Sequence, residues 1–272
     1  MMRSLWTAAS GMKAQQTSMD TVANNLANIN TTGYKRETVE FQSLLYQTIQ
    51  DTTKDTYGQY KPIGAQVGLG VKVAAISTAF SQGKLLASDG DFDFAIQGKG
   101  FFMIEMPDGS TAYTRNGNFV MAVNNAGGLT MSTSDGYAVL DTNGNPISFD
   151  ADMDMTKLRF DNFGNISYLD ATNNPQPLGI KIGITQFNNP SGLDKLGDSY
   201  YKVSNASGDP RVEGLDGALT LSVVKNKYLE GSKAEAVDEM VDMIVTQRAY
   251  EMNSKAITAS DEMLQQANNL RS

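Results

Sequence analysis

Apolar residues recur every seven positions through the first thirty residues of the chain. Leu5, Met12, Met19 and Leu26 form one line, and Ala8, Gln15, Val22 and Ile29 form a companion line three residues later, interrupted at Gln15. This is the a/d seam of a helix that packs along another helix, and it predicts one helix over 3–30. Such a helix is about 40 Å long at roughly 1.5 Å per residue. The stripe is narrow and built from small or flexible side chains, which suits a helix–helix contact better than the broad apolar face of a core helix. Asn28, Asn30, Thr31, Thr32 and Gly33 supply the stop, with Gly33 placed for a left-handed residue after the last turn.

The spacing predicts a second, shorter helix over 38–49, because Phe41, Leu44, Leu45 and Ile49 fall at i, i+3, i+4 and i+8. From Gln50 to about Gln66 the pattern dissolves into Thr, Asp, Lys, Tyr and Gly. This stretch reads as an extended arm, longer than a usual loop inside a compact domain. From Val67 to about Val224 the period is two. Alternating segments end in Pro107-Asp108-Gly109-Ser110, Asn116-Gly117, Asn124 to Gly128 and Asn143-Gly144. Asp-Gly and Asn-Gly pairs supply the positive φ of tight hairpin turns, so the middle of the chain is an antiparallel β domain.

Helical periodicity returns over 233–270, where Ala236, Met243, Tyr250, Ile257 and Leu264 are again spaced by seven. Glu235, Asp238, Glu239 and Asp242 crowd its first turns and Lys255 and Arg271 lie later, as the helix dipole favours. The companion line Met240, Gln247, Ser254 and Asp261 is half polar, so this helix suits several neighbours rather than a copy of itself. The fold class is α+β. Long N- and C-terminal helices form a coiled-coil-like discontinuous domain around a central antiparallel β-rich domain. Expected boundaries are 1–49 for the first helical part, 50–85 for the arm and linker, 86–227 for the β-rich outer domain and 228–272 for the closing helix. Helices that cannot bury their seams alone pair with each other and with further copies of the chain.

Composition removes chemistry rather than adding it. The 272 residues include no cysteine and no histidine. Disulfides, thiolate metal sites and a histidine base are thereby excluded. A formal charge of −8 argues against nucleic acid as a partner. Charged residues are 19% of the chain, below the usual quarter, so much of the surface is covered by other polar types or by a partner. No apolar run is long enough to span a membrane, and the N-terminus interleaves polar residues where a cleaved leader needs an apolar core. Gly68-Leu69-Gly70 and Gly98-Lys99-Gly100 are lone G-x-G pairs without the rest of a phosphate loop. Asp89, Asp91 and Asp93 open like a calcium loop, but Phe94 stands where glycine is needed. Tyr34-Lys35-Arg36 is too short for a nucleic-acid patch. No catalytic, cofactor or metal residues are assigned, and the chain does not read as an enzyme.

The segment Ala23-Asn24-Asn25-Leu26-Ala27-Asn28-Ile29-Asn30-Thr31-Thr32-Gly33-Tyr34-Lys35 closely resembles the N-terminal signature of bacterial flagellar rod and hook proteins. The run from Val237 to Ala256 resembles the C-terminal hallmark of the same family. Ser4 to Met12 and Gly98 to Phe102 extend the likeness across most of the chain. It departs at Gly231-Ser232-Lys233-Ala234-Glu235-Ala236, where the family usually has Ser-Asn-Val-Asn. Length, the segment Phe41 to Ile49 and the arm at 50–66 are similar to the subunit of the distal rod.

The resemblance implies a structural subunit that polymerises into a rigid helical tube, a drive shaft between motor and hook, with no cofactor. Another axial subunit, of the proximal rod or the hook, is the alternative; a ligand-binding β module on an oligomerising helical stalk is a remote one. Implied partners are further copies of itself, proximal rod and hook subunits, basal-body ring proteins and the flagellar type III export apparatus. The implied location is the periplasm-spanning rod, reached without a cleaved signal peptide. Interface residues are then Leu5, Met12, Met19, Val22, Leu26 and Ile29 on the first helix. On the last helix they are Met240, Met243, Gln247, Arg248, Tyr250, Ile257 and Leu264. The family motif is carried by Asn24, Asn25, Leu26, Asn28, Gly33, Tyr34 and Lys35, while Phe41 and Leu45 match the pattern that engages the export gate.

Overall fold

Helix α1 spans Met2–Ala27, helix α2 spans Ala236–Asn269, and short strands occupy the chain between them. The fold class is therefore α+β. These elements come from a computed structural model that describes every residue except 1, 51–63, 125–126, 151–152, 171–173, 216, 218 and 271–272. The chain divides into two units. One, labelled inner only for the role expected of the terminal helices, collects Met1–Ala27, Glu37–Thr78 and Glu235–Ser272; the other, labelled outer, collects Asn28–Arg36 and Ala79–Ala234.

In the inner unit α1 and α2 run antiparallel. Ser4 Oγ lies 3.3 Å from Ser260 Oγ, and twenty-one residues further along α1 Asn25 Nδ2 donates to Glu239 Oε2 at 3.1 Å. Ala8, Ala14 and Val22 are the buried apolar side chains of α1, and small residues there let the backbones approach. Helix α1 ends three residues before the expected stop, and Asn28 to Gly33 form turns. Gly33 does adopt φ +72°, but six residues past the helix end. It is glycine for another reason: in the outer unit a Cβ there would lie 2.7 Å from the backbone nitrogen of Asn116.

The helix expected over 38–49 is instead β-structure. Strand β1 (Glu37–Ser43) pairs with β4 (Val71–Thr78), and β2 (Tyr46–Gln50) pairs with β3 (Ala65–Gly68), both antiparallel. Leu44 N–H donates to Gly70 O at 2.9 Å and Leu69 N–H to Leu45 O at 3.3 Å, so the two pairings join into one ribbon. The reason lies in an ambiguity of period. Phe41, Leu45 and Ile49 are four apart, which satisfies a helix face and a strand face equally. Val39, Thr38, Thr48 and Ile49 add β-branched weight, and the complementary run Val71-Lys72-Val73 offers a partner. Most of the arm assigned to 50–66 lies outside the described residues, and its last part is β3.

The outer unit centres on the strand Phe101–Glu105. It pairs with Thr111–Thr114 on one side and with Ile184–Gln186 and Ala138–Val139 on the other, within a ten-stranded sheet. Alternation sends Phe102 and Ile104 into one cluster with Phe94, Ile96, Met131 and Ile182. Phe101 and Met103 enter a second cluster with Tyr113, Phe187, Leu193 and Tyr201. A strand apolar on both faces is thus the wall between two cores, and each fully buried side chain of this size contributes about 1.5–3 kcal/mol. The Asp108-Gly109 turn closes a hairpin as expected, with Gly109 N–H donating to Met106 O at 2.9 Å. Asn143-Gly144 likewise sits in a tight turn, Gly144 at φ +83°. Asn116-Gly117 does not: Phe119–Val123 pairs with Leu129–Thr133 rather than with Thr111–Thr114. There the backbone of Gly117 is used to accept Phe94 N–H at 2.9 Å.

Candidate functional site

The residues singled out by the N-terminal motif divide at the boundary between the units, and each half does a different job. In the inner unit Asn25 is fully buried. Its carboxamide reads the backbone of Glu37 at both groups: Oδ1 accepts Glu37 N–H at 2.9 Å and Nδ2 donates to Glu37 O at 2.8 Å. The same Nδ2 reaches Glu239 on α2. One side chain therefore ties together α1, α2 and the start of β1. Asn24 points outward, while Leu26 is half-buried.

In the outer unit the second half of the motif closes a buried ion cluster. Lys35 Nζ contacts Glu230 Oε1 at 2.6 Å and donates to Ser81 O at 2.9 Å. Arg115 reaches Glu230 Oε2 at 3.3 Å and donates to Gly98 O at 2.7 Å, its guanidinium 5.0 Å above the ring of Phe101. Gly83 N–H also donates to Glu230 Oε1, at 2.7 Å. Burial lowers the pKa of both cations, and Glu230 works against that shift in each case. Such a cluster costs desolvation, offset by the bonds that Glu230, Ser81 and Gly98 make to the two cations, although Arg115 Nε is buried without a partner. Gly33 N–H donates to Glu230 O at 2.7 Å, and Lys233 N–H to Tyr34 O at 3.2 Å. Asn28 and Ile29 are half-buried in the turns that lead there. These contacts are structural, joining residues 33–35 to residues 230–233. Glu230 and Arg115 went unnoticed in the sequence, where each is a single charge among many, and Glu239 stood out only as one of the acidic residues in the first turns of the last helix.

The heptad residues are placed unevenly. Leu5, Met12, Met19 and Leu26 are half-buried, and Val22 is buried. On α2, Met243, Ile257 and Leu264 are half-buried, whereas Met240, Gln247, Arg248 and Tyr250 are exposed. The fully buried positions of α2 are polar: Glu239, Thr246 and Ser260. Elsewhere α2 leaves Val237, Val241, Ile244, Val245 and Met252 between 53% and 73% exposed. Trp6 on α1 is 73% exposed. On the ribbon, Phe41 and Leu45 are 45% and 84% exposed.

Nothing comparable points to chemistry. Among the described residues no group of three or more acidic side chains is arranged to hold a metal, and no helix is long and apolar enough to cross a membrane. Two clefts, of about 300 Å³ beside Ser10, Lys13, Thr17 and Val73 and of about 240 Å³ beside Phe92, Leu158, Phe160 and Lys227, lie at or below the lower end of the range of ordinary ligand pockets, about 300–1,000 Å³. Asp91 pairs with Lys227 at 2.9 Å, and Gly100 N–H donates to Ser222 Oγ at 3.2 Å, so both discounted motifs have local structural uses. What the molecule does offer is exposed apolar surface on its helices and ribbon. Surface of that kind marks an interaction site, and the class it fits is a structural subunit.

Comparison with known proteins gives the class its family. Residues 5–35 match the family "Flagella basal body rod protein", residues 95–168 the "Flagellar hook protein FlgE/F/G D1 domain", and residues 225–270 the "Flagellar basal body rod FlgEFG protein C-terminal". The chain is 44% identical over 273 residues to the flagellar basal-body rod protein FlgG of Borreliella burgdorferi, covering 100% of this chain and 99% of that one. It is 43% identical to the FlgG of Agrobacterium fabrum, covering 96% and 97%, and 40% identical to that of Caulobacter vibrioides, covering 100% of both. The chain belongs to the flagellar basal-body rod protein family and is a structural rod subunit of the bacterial flagellum. Its relatives are structural rod proteins, not enzymes.

Proposed function

We propose that the chain is the subunit of the distal rod, polymerising into a rigid helical tube that carries torque from motor to hook. One observation carries this reading: a protein related along its full length to FlgG rod proteins leaves an apolar stripe of α2, interrupted at Arg248, open to solvent. Val237, Val241, Ile244, Val245 and Met252 recur at helical spacing, and a stripe of that kind is stable only when another surface covers it. When the covering surface is a different face of the next copy, and the rotation does not close, the product is a helical filament.

The two terminal helices then form a coiled-coil-like inner layer, with Met240, Gln247, Arg248 and Tyr250 facing neighbouring copies. Phe41 and Leu45, exposed on the ribbon, engage the flagellar type III export apparatus before the subunit joins the rod. Proximal rod and hook subunits adjoin the tube at its two ends, and basal-body ring proteins surround it. Cryo-electron microscopy of isolated basal bodies carrying a tag on an outer-unit loop tests the assignment. Density for the tag in the rod segment next to the hook is the expected result. Density confined to the motor-side rod, or to the hook itself, overturns the distal assignment in favour of another axial subunit.

A further inference from the structure

The apolar heptads of α1 and α2 leave the alignment of the two helices undetermined. Leu5, Met12, Met19 and Leu26 repeat every seven residues, and Met243, Ile257 and Leu264 fall on the same sevenfold spacing. Sliding one helix past the other by seven residues therefore replaces each apolar layer with an equivalent one, at little cost in buried apolar area. Something else must distinguish the observed alignment from its slipped neighbours.

The polar layers do. Ser4 faces Ser260, with the two hydroxyls 3.3 Å apart. One heptad on, Gly11 faces Asn253, where a Cβ would stand 3.0 Å from Nδ2. Two heptads further, Asn25 donates to Glu239. These pairs advance by sevens along α1 and retreat by sevens along α2, so all belong to one register. The same spacing sets Ser18 against Thr246, which is buried. No two layers are alike.

A slip of one heptad in one direction carries Asn253 away from the only glycine that accommodates it and sets Glu239 against Ser18. The carboxylate of Glu239, with no exposed surface, then loses the carboxamide donor. A slip in the other direction sets Asn25 against Thr246, again separating it from Glu239. A buried polar group that loses a hydrogen bond is destabilised on the order of a whole packing layer.

We propose that the polar ladder, and the Asn25–Glu239 layer above all, sets the register of the α1–α2 pair. Asn25 is a positioning residue. Because its carboxamide also holds both backbone groups of Glu37, the register chosen by the helices is passed to the first residue of the ribbon. A subunit paired one heptad out of step would therefore present its ribbon wrongly. The inference concerns this chain's own pairing and does not depend on where in the flagellum the subunit sits.

The absence of native cysteine makes the test clean. In the full chain, under conditions where circular dichroism shows the helices formed, the pair S4C/S260C reports the observed register and S4C/N253C reports a slip of one heptad. With Asn25 and Glu239 intact, disulfide formation is expected at least tenfold faster for the first pair. In the background N25L/E239L, which keeps the apolar seam and removes the polar layer, that preference is expected to fall to within threefold. Glu239→Gln, with Asn25 kept, retains an acceptor for the carboxamide and is expected to show the native preference, which a merely charged role would not give, while N25L/E239L excludes a merely bulky one. Equal rates for the two pairs with the native layer present overturn the proposal. So does an undiminished preference in N25L/E239L, and so does loss of the preference in E239Q.

Discussion

Glu230 accepts from Lys35, Arg115 and the backbone of Gly83 while its own carbonyl accepts from Gly33. Removing its charge leaves two buried cations facing each other. Glu230→Leu is therefore expected to cost about 3–5 kcal/mol, the scale of breaking a buried ion pair from one side. Lys35→Met, which leaves Glu230 with Arg115, is expected to cost less. Urea denaturation of the two variants measures the difference, and a smaller loss for E230L than for K35M would contradict the shared role of the carboxylate.

A second single side chain predicts a pH dependence. The Tyr200 hydroxyl donates to Asp135, and burial, together with that carboxylate, pushes its pKa above the ordinary value of 10.0. A phenol kept protonated by folding contributes its stability in full below pH 10.0 and loses it as the pH rises through the folded value. Stability is expected to decline above about pH 10, and Tyr200→Phe is expected to flatten part of that decline. Lys35, whose pKa burial lowers, acts in the opposite sense below its ordinary value of 10.5, so the wild-type minus Y200F difference is the quantity to follow. None of these partners was visible in the chain, because the residues that meet lie 65 to 195 positions apart.

Among the elements, helix α2 carries the sharpest expectation. Ile244 and Val245 are more than half exposed, so the double change I244S/V245S removes almost no packing within the subunit. Its effect on stability is expected to stay within about 0.5 kcal/mol plus the small helix-propensity cost of Val and Ile to Ser. Polymerisation and swimming are expected to be lost. Unfolding curves beside sedimentation of the assembled polymer distinguish the two effects, and retained assembly would count against the stripe as an interface.

Both terminal helices were legible in their heptads, and the central strands in their Asp-Gly turns and alternation. The segment 38–49 was not. Phe41, Leu45 and Ile49 satisfy either period, and the strand Val71–Thr78 that decides between them is remote in sequence. Asn116-Gly117 misled for a related reason: its backbone serves Phe94, and hairpin chemistry was never needed there.

For the molecule as a whole, each unit is assembled from separated stretches of chain. The inner unit needs residues from both termini, and the outer unit closes only when Lys35 meets Glu230. Such non-local closure makes folding wait for the C-terminal part of the chain. The fully buried positions of α2 are polar, and the larger apolar side chains of α1 at 5, 12, 19 and 26 are only half covered. The helix pair in a free subunit is correspondingly expected to be only partly formed, and to be completed by neighbours. Far-ultraviolet circular dichroism of monomer and polymer checks this: helicity should rise on assembly, and a monomer already at the polymer's value would refute it.

Periodicity alone settled that this chain has helical ends with apolar seams and a β-rich middle, because burial patterns are local and repeat along the chain. The motif at 23–35 pointed equally early to a structural part, through its resemblance to flagellar rod proteins. Only the tertiary structure decided which face of each helix is covered and which polar residues meet across the pair. It also decided that 38–49 is ribbon and that Lys35 ends beside Glu230. The physical reason is the same in each case. A repeating apolar pattern says that a surface will be buried, while the identity and alignment of what buries it depend on unique polar contacts between distant residues.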